Sequence, residues 1–449
     1  MRFNGVWTRW RGRTIGFSVA GVLLAVSAMG HSSVPEPAYI ELYMDGVAVT
    51  SLGLLQVPAG HEQEYLAHSR VPVHSDDLST DLKQDHSDLA TESAAWLAQG
   101  AIPGAGTQYE DLARTALLDI RALIHEDGAL AAGAHKRWRY AWPRDNSFAA
   151  VALARTGHSE DAISLLEFLA SVQGKDGSFQ ARYLLDGSGT PDNRPPQTDG
   201  TGWVLWALGD VITQMNTRVP GSGTAELADH TVMLDRSTDR ILELIDNPRS
   251  LPPVSPDYWE VRETALTLGT AGPLLAGLES AANLYALLGQ SDSSMRVQEG
   301  ATRLNAAITK EFGAVNYSRH ITGGLACAST SFVQPPFVET ALEGAHDAWV
   351  DSVKFMARPA GGLAPGGSWK ADGISWTPET ALYAMTAAAS GDREGAERWL
   401  TWIDEHRTMS GAIPEKVLAD GSPAAVAPLA WSAANILIAL DDLEKIAAN

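Results

Sequence analysis

Two stretches of the chain carry carboxylates in settings suited to proton transfer. In Pro256-Asp257-Tyr258-Trp259-Glu260-Val261-Arg262-Glu263, three acids crowd two aromatic rings and one arginine, just after the proline-rich break at 251–255. A carboxylate pressed against Trp259 is partly desolvated, which raises its pKa and lets it keep a proton near neutral pH, as a general acid must. Arg262 could anchor a substrate hydroxyl or the neighbouring acid. A plainer reading makes the stretch a helix start, with Asp257 as N-cap and Glu260 closing a capping box. The second stretch is Gly411-Ala412-Ile413-Pro414-Glu415-Lys416-Val417, where Glu415 follows a proline and so sits on a stiff, exposed loop. Taken alone it reads as a solvated glutamate paired with Lys416. Glu415 follows Glu260 by 155 positions, so only tertiary closure can bring the two together.

Aromatic residues gather in the same kind of segment. Trp138-Arg139-Tyr140-Ala141-Trp142-Pro143-Arg144-Asp145 sets two tryptophans and a tyrosine beside an Arg-Asp pair, ahead of a helix. Aromatic faces stack on the apolar faces of sugar rings, while Arg144 and Asp145 can bind hydroxyls; a structural ion pair under a tryptophan lid is the alternative. Trp138, Trp142, Trp203, Trp259, Trp369 and Trp376 all fall in or beside long loops, in a chain with 14 Trp against 9 Phe. Gln197, Asp199 and Gly200 read as the rim of a polar pocket. The loop from Asp186 to Asp192 spaces oxygen ligands faintly like a calcium site, but Pro191 replaces the needed glycine and no Glu closes it. No metal is expected there, and the histidines between His31 and His86 show no metal spacing and read as surface residues.

The elements that must position these groups are helical. Apolar residues follow the helical period over 112–124, 148–155, 162–172, 202–215, 225–245, 271–288, 294–312, 340–355, 379–389, 396–403 and 427–443. Helices meet at tight corners through Gly157, Gly289 and Gly391, each the expected C-cap of one helix just before a polar start to the next. Opposite ends carry long loops at 135–145, 186–200, 251–263, 358–376 and 409–423. About twelve helices in antiparallel pairs imply an all-α toroid or barrel, with the long loops on one face. Ahead of it, 38–57 reads as two short strands turning at Asp45-Gly46, within an extension over 31–104 that precedes the 105–449 catalytic part.

The ordered segments WRYAWPRD, RPPQTDGTGWVLWAL, PDYWEVRE, SWTPET and GAIPEKV resemble those of glycoside hydrolase family 15, over roughly residues 105 to 445. That resemblance implies an (α/α)6 barrel, Glu260 as general acid and Glu415 as general base. It also implies a glucose pocket formed by Arg144, Asp145, Trp138, Trp142, Trp259 and Trp376. Relatives carry an arginine about a dozen residues before the last of these tryptophans. Here the nearest is Arg358, 18 residues before Trp376, which leaves it a tentative ligand. The implied activity is inverting, exo-acting hydrolysis of α-1,4 or α-1,6 gluco-oligosaccharides, with a trehalase activity as a variant. No cofactor is implied, since two carboxylates suffice. A non-catalytic sugar-binding protein on the same scaffold is the rival, disfavoured because both glutamates are present. A terpene-cyclase-like barrel would need a D-x-D-D motif, which is absent.

Composition narrows the partners. The formal net charge is -21, with 54 acidic against 33 basic residues. Such a surface repels nucleic acid and anionic lipid and suits a neutral oligosaccharide, and a monomer or small homo-oligomer is expected. The basic balance reverses only at the start, where Arg2, Arg9, Arg11 and Arg13 precede an apolar run at 15–29. Residues 1–30 therefore read as a secretory signal, or as an uncleaved anchor that would be the chain's only tie to a membrane. Cys327 stands alone, so an exported chain must hold together by packing without a disulfide. Sequencing the mature N-terminus from the native host should give a start near Met29 or His31 outside the cytoplasm; an intact Met1 in a cytosolic protein would overturn the export reading.

Overall fold

The computed structural model describes residues 38–73 and 80–448; the expected signal segment, His31 and His74 lie outside the described residues. From residue 110 onward the helices alternate between an outer and an inner ring. The outer ones are α2 (Glu110–Leu123), α4 (Ser159–Val172), α7 (Thr231–Leu244), α9 (Ser291–Gly313), α10 (Ala345–Met356) and α12 (Arg393–Glu405). The inner ones are α3 (Pro143–Arg155), α5 (Asp199–Arg218), α8 (Leu268–Leu287), a 3-10 helix at Ala328–Val333, α11 (Thr377–Ala389) and α13 (Ala430–Ala448). Each inner element packs on the next, and α13 packs back on α3, so the ring closes as an (α/α)6 barrel. The fourth inner position is filled by the short 3-10 helix, where the sequence shows no helical period. The helix expected over 225–245 is two helices, α6 (Ser222–Leu227) and α7, broken at His230.

Residue composition explains the two rings. Every residue of α3 is buried, as are all but the last of α11, so these helices are mostly apolar or small, with their charged residues at the ends. Outer helices bury one stripe: in α9 it is Val297, Gly300, Ala301, Leu304, Ile308 and Phe312. Inner helices also approach closely. A Cβ on Gly202 of α5 would lie 2.1 Å from the Pro273 carbonyl oxygen of α8, so the α5–α8 contact requires glycine there. The lumen is filled by rings rather than left open: Phe148, Trp203, Phe332 and Phe337 pack edge-on at centroid distances of 4.7–5.8 Å, beneath Tyr258 and Trp431.

The tight corners are Schellman turns. Gly157, Gly289 and Gly391 all take positive φ, of 98°, 70° and 82°. The next residue's N–H returns to the helix in each case: His158 to Leu153 O, Gln290 to Tyr285 O and Asp392 to Ala387 O, at 2.8–2.9 Å.

The N-terminal part is more ordered than its composition suggests. Strands β1 (Gly46–Thr50) and β2 (Gly53–Val57) form a hairpin, followed by α1 (Thr80–Leu97). The turn lies at Ser51-Leu52, not at Asp45-Gly46 as expected. Asp45 is buried, and its carboxylate instead accepts the N–H groups of Gly60 and Met409. It thereby ties the hairpin to the 409–423 loop, and Ala425 just beyond that loop bonds Tyr43 and Glu41. His86 is buried rather than on the surface, since its helix packs against the rest of the chain. Among the described residues no helix is long and apolar enough to cross a membrane.

Arg70 crosses from the N-terminal part into the barrel, donating to Asp119 of α2 at 2.6 Å and to the Ser410 carbonyl at 3.0 Å, with both ionic side chains buried. Removing one partner strands a buried charge. Arg70→Met should lower stability by about 3–5 kcal/mol, read from thermal and denaturant unfolding followed by far-UV circular dichroism. A melting curve unchanged from the parent would show that the N-terminal part contributes nothing to the barrel's stability.

Candidate active site

The long loops do converge on one end of the barrel. There a cavity of about 320 Å³ is lined by Trp138, Trp142, Arg144 and Asp145 from the first loop and α3, by Arg182 and Arg194 from the second, and by Tyr258, Trp259 and Glu260 from the third. Trp376 and Glu379 from the start of α11, Glu415, and Trp431 from α13 complete its wall. Ring closure thus brings Glu260 and Glu415 to the same space.

The first loop holds both glutamates. Trp142 donates its indole N–H to Glu260 Oε1 at 2.6 Å, and Trp138 donates to Glu415 Oε1 at 3.3 Å. Trp142 is fixed in turn by Asn146, whose Nδ2 donates to the Trp142 carbonyl at 2.9 Å and to the Leu130 carbonyl at 3.1 Å. The other oxygen of Glu260 meets Arg194 in an ion pair, and Arg194 Nε also lies 3.1 Å from Asp192. Lys416 Nζ lies 3.1 Å from Glu415 Oε2 and 4.2 Å above the Trp376 ring. That pairing is built by a small sheet in which β4 (Lys416–Val417) runs between β3 (Ser375–Trp376) and β5 (Pro423–Ala424), with Trp376 opposite Lys416.

Several expectations need correction here. Residues 256–263 are not a helix start: Asp257 caps a turn by accepting the Trp259 N–H at 3.0 Å, and α8 begins only at Leu268. Trp259 does not desolvate Glu260. Its ring is covered by Arg319, whose guanidinium carbon lies 3.6 Å from the ring centre, and the Glu260 side chain keeps 24% of its surface exposed. Glu415 is the reverse case: it is buried, not on an exposed loop, because Lys416 neutralises it. Asp199 is no part of a rim; it is 1% exposed and lines no part of the cavity. Gln197 and Arg262 line a neighbouring recess of about 390 Å³ that shares only Glu260 and Arg194 with the cavity. Arg358 stays away altogether, since its Nη1 donates to the Met356 and Ala357 carbonyls at the end of α10.

Other groups were not legible beforehand. Arg319, 1% exposed, donates through Nη2 to Asp257 at 2.7 Å and to Glu263 at 2.5 Å, while His320 lies 2.8 Å from the other Glu263 oxygen. This network braces the turn that carries Glu260, whose φ of 55° is a left-handed conformation that a non-glycine residue adopts only when its surroundings enforce it. Arg194 and Glu379 sit inside the quoted segments but nothing in the local pattern marks them. Arg182, Trp431 and Arg319 carry no local signal at all.

The cavity wall also holds buried polar atoms without a hydrogen-bond partner among the described residues, including Arg144 Nε and Nη1, the indole nitrogens of Trp259, Trp376 and Trp431, and Glu379 Oε2. Buried polar atoms are ordinarily paired, so a wall rich in free donors fits a hydroxyl-rich ligand. Arg144 itself is fixed by Asp145 at 2.8 Å and lies 4.3 Å above the Trp431 ring. Burial raises the Asp145 carboxyl above its usual range, against the opposing pull of Arg144. Glu379 is pushed up to about 8, first by burial and then by Glu415, with Arg144 and Lys416 opposing. Asp199 is pushed up to about 7 by burial and by Asp257. Among the described residues, His125, Glu126 and Asp127 alone cluster as a cation might require; they are largely exposed and lie outside this cavity.

No protein-family model matches the chain. It is 27% identical over 352 residues to an isomaltose glucohydrolase of Kribbella flavida, spanning 68% of this chain and 84% of that protein. A glycosyl hydrolase of Methanocaldococcus jannaschii is 23% identical over 368 residues, 75% of this chain and 56% of that protein. Among solved structures, a wild-type glycosidase superposes with a TM-score of 0.61 at 23% identity, covering 75% of this chain and 96% of that one. A bacterial glucoamylase with acarbose gives 0.62 at 15% identity, over 82% of this chain and 59% of its own, and the Saccharomycopsis fibuligera glucoamylase gives 0.59. The barrel is therefore the glucoamylase (α/α)6 fold. Relatives and structural neighbours are alike glycosidases, and the chain is a glycoside hydrolase resembling family 15.

The raised carboxyl of Asp199 couples the fold's stability to pH. A carboxyl whose pKa is higher folded than unfolded stabilises the fold while protonated. That contribution is complete below the unfolded pKa and is lost as pH rises through the folded one. For Asp199 the window runs from its ordinary 3.8 up to about 7. Asp199→Asn should therefore flatten the fall in stability over that interval, measured by urea unfolding at a series of pH values. A variant whose curve parallels the parent's would show that Asp199 titrates normally.

Proposed function

We propose that this enzyme is an inverting, exo-acting glucosidase that releases β-glucose from the non-reducing end of α-linked gluco-oligosaccharides. One observation carries the reading: Glu260 and Glu415 open into one cavity, each held by an indole N–H from the same short segment. A volume of about 320 Å³ is at the small end for ligand cavities, and it suits one or two sugar rings. Its inner wall, Arg144 with Asp145 over Trp431, would receive the terminal ring. The relative named an isomaltose glucohydrolase puts α-1,6 ahead of α-1,4 among linkages. Export from the cytoplasm, where oligosaccharides would meet the enzyme, belongs to the same proposal.

The surroundings of the two glutamates suit separate roles. Glu415 must be ionised before reaction to take a proton from water, and Lys416 with Trp138 N–H holds that charge. Glu260 must give its proton to the leaving oxygen, so negative charge grows on it as the bond breaks. Arg194 and Trp142 N–H are aimed at that charge. While Glu260 is protonated, Asp192 offers Arg194 an alternative partner.

Proton NMR of the first product from an α-glucoside should show β-glucose before mutarotation; α-glucose would refute inversion. Glu260→Gln should lose disaccharide hydrolysis by roughly two to four orders of magnitude, yet retain much more activity on α-glucosyl fluoride, whose leaving group needs little protonation. Glu415→Gln should damage both substrates alike, because each still needs an activated water. The opposite pattern would exchange the two roles, and undiminished hydrolysis in both would place the chemistry elsewhere. Glucose bound but never released from any α-glucoside by the parent would favour the sugar-binding alternative.

A further inference from the structure

We propose that Glu379 is a direct, specificity-determining ligand of the sugar, its carboxyl hydrogen-bonding one ring hydroxyl of the glucose unit in the cavity. The inference rests on the proposed function above and adds a residue to its site. Glu379 lies in the first turn of α11, three residues after Trp376, and its side chain forms part of the cavity wall although it is only 3% exposed. Its Oε2 has no hydrogen-bond partner among the described residues. Burying a polar atom unpaired is costly, so an acid that merely filled space here would be disfavoured against an apolar side chain such as Leu. The cavity offers the missing partner.

Charge limits what that partner can be. Asp145 has Arg144, Glu260 has Arg194 and Glu415 has Lys416, whereas among the described residues Glu379 forms no ion pair. A cationic ligand would find Glu379 without charge below about pH 8, so it is a poor cation site. A neutral carboxyl can instead donate through O–H and accept through its carbonyl oxygen, the pairing that suits an alcohol. The same wall lacks the arginine expected before Trp376, because Arg358 is engaged at the end of α10.

The test uses α-glucosides each lacking a single ring hydroxyl, assayed on the parent, Glu379→Ala and Glu379→Gln. Glu379→Ala should lower kcat/KM on the intact glucoside roughly ten- to hundred-fold. On one deoxy substrate, the one missing the contacted hydroxyl, parent and variant should be equal within about two-fold. A loss of the same size on every deoxy substrate would show a structural role and overturn the assignment. Should the Ala variant not fold, the isosteric Gln variant carries the test: its change in preference should be confined to one ring position, and an unaltered deoxy profile would count against the contact. If the parent hydrolyses no α-glucoside, the proposed function fails by itself. Glu379 is then judged by titrating glucose and the deoxyglucoses into parent and variants, and equal dissociation constants for all of them would sink it.

Discussion

Four carboxylates around one small cavity is an arrangement that electrostatics opposes. Two like charges about 4 Å apart repel by roughly 4 kcal/mol at the effective dielectric of a protein site. The wall of this cavity carries Asp145, Glu260, Glu379 and Glu415. Three of them are paired with cations: Asp145 with Arg144, Glu260 with Arg194 and Glu415 with Lys416. Among the described residues the acid without one is Glu379, and burial pushes its carboxyl up to about 8. Much of the local architecture follows from this constraint. The sheet through Trp376 and Lys416 exists to deliver a cation to Glu415, and the second loop delivers Arg194 to Glu260.

Ring closure converts that local arrangement into a shared site. Nothing in the sequence near Glu260 refers to Glu415, and the two meet because α13 packs back on α3. The ring is held by helices buried on nearly every face, which explains their small residues and the glycine contact between α5 and α8. Tyr258 and Trp431 then serve as both the roof of the aromatic core and the floor of the cavity. Core packing and ligand binding are therefore coupled at these two rings, so substitutions there act on both.

What the sequence made legible was what repeats or punctuates locally. Helical periodicity, the Gly157, Gly289 and Gly391 corners and the concentration of tryptophan in long loops all survive comparison with the structure. What it hid was partnership across the ring. Trp259 beside Glu260 suggested desolvation, but a side chain's neighbour in sequence points elsewhere whenever the backbone turns, and the turn at Glu260 gives Trp259 to Arg319. Arg358 failed because a helix end competes for a guanidinium as effectively as a sugar does. Asp199 carried a motif-like setting, yet its place at the head of a wholly buried inner segment took it out of the cavity.

The turn at Glu260 shows how such a site is kept in place. A left-handed glutamate costs on the order of 1–2 kcal/mol, and a partly exposed acid at the end of a loop would ordinarily relax out of it. Arg319 opposes this by joining Asp257, Glu263 and Trp259, residues on either side of Glu260 that a relaxed backbone would separate. The ionic part of the brace, Arg319 with Asp257 and Glu263, makes no contribution to the cavity wall, whereas Glu260 is open to solvent and to Arg194. Rigidity and access are thus assigned to different residues of one short segment. The acid can change its protonation state and its partner without disturbing the ion network that aims it.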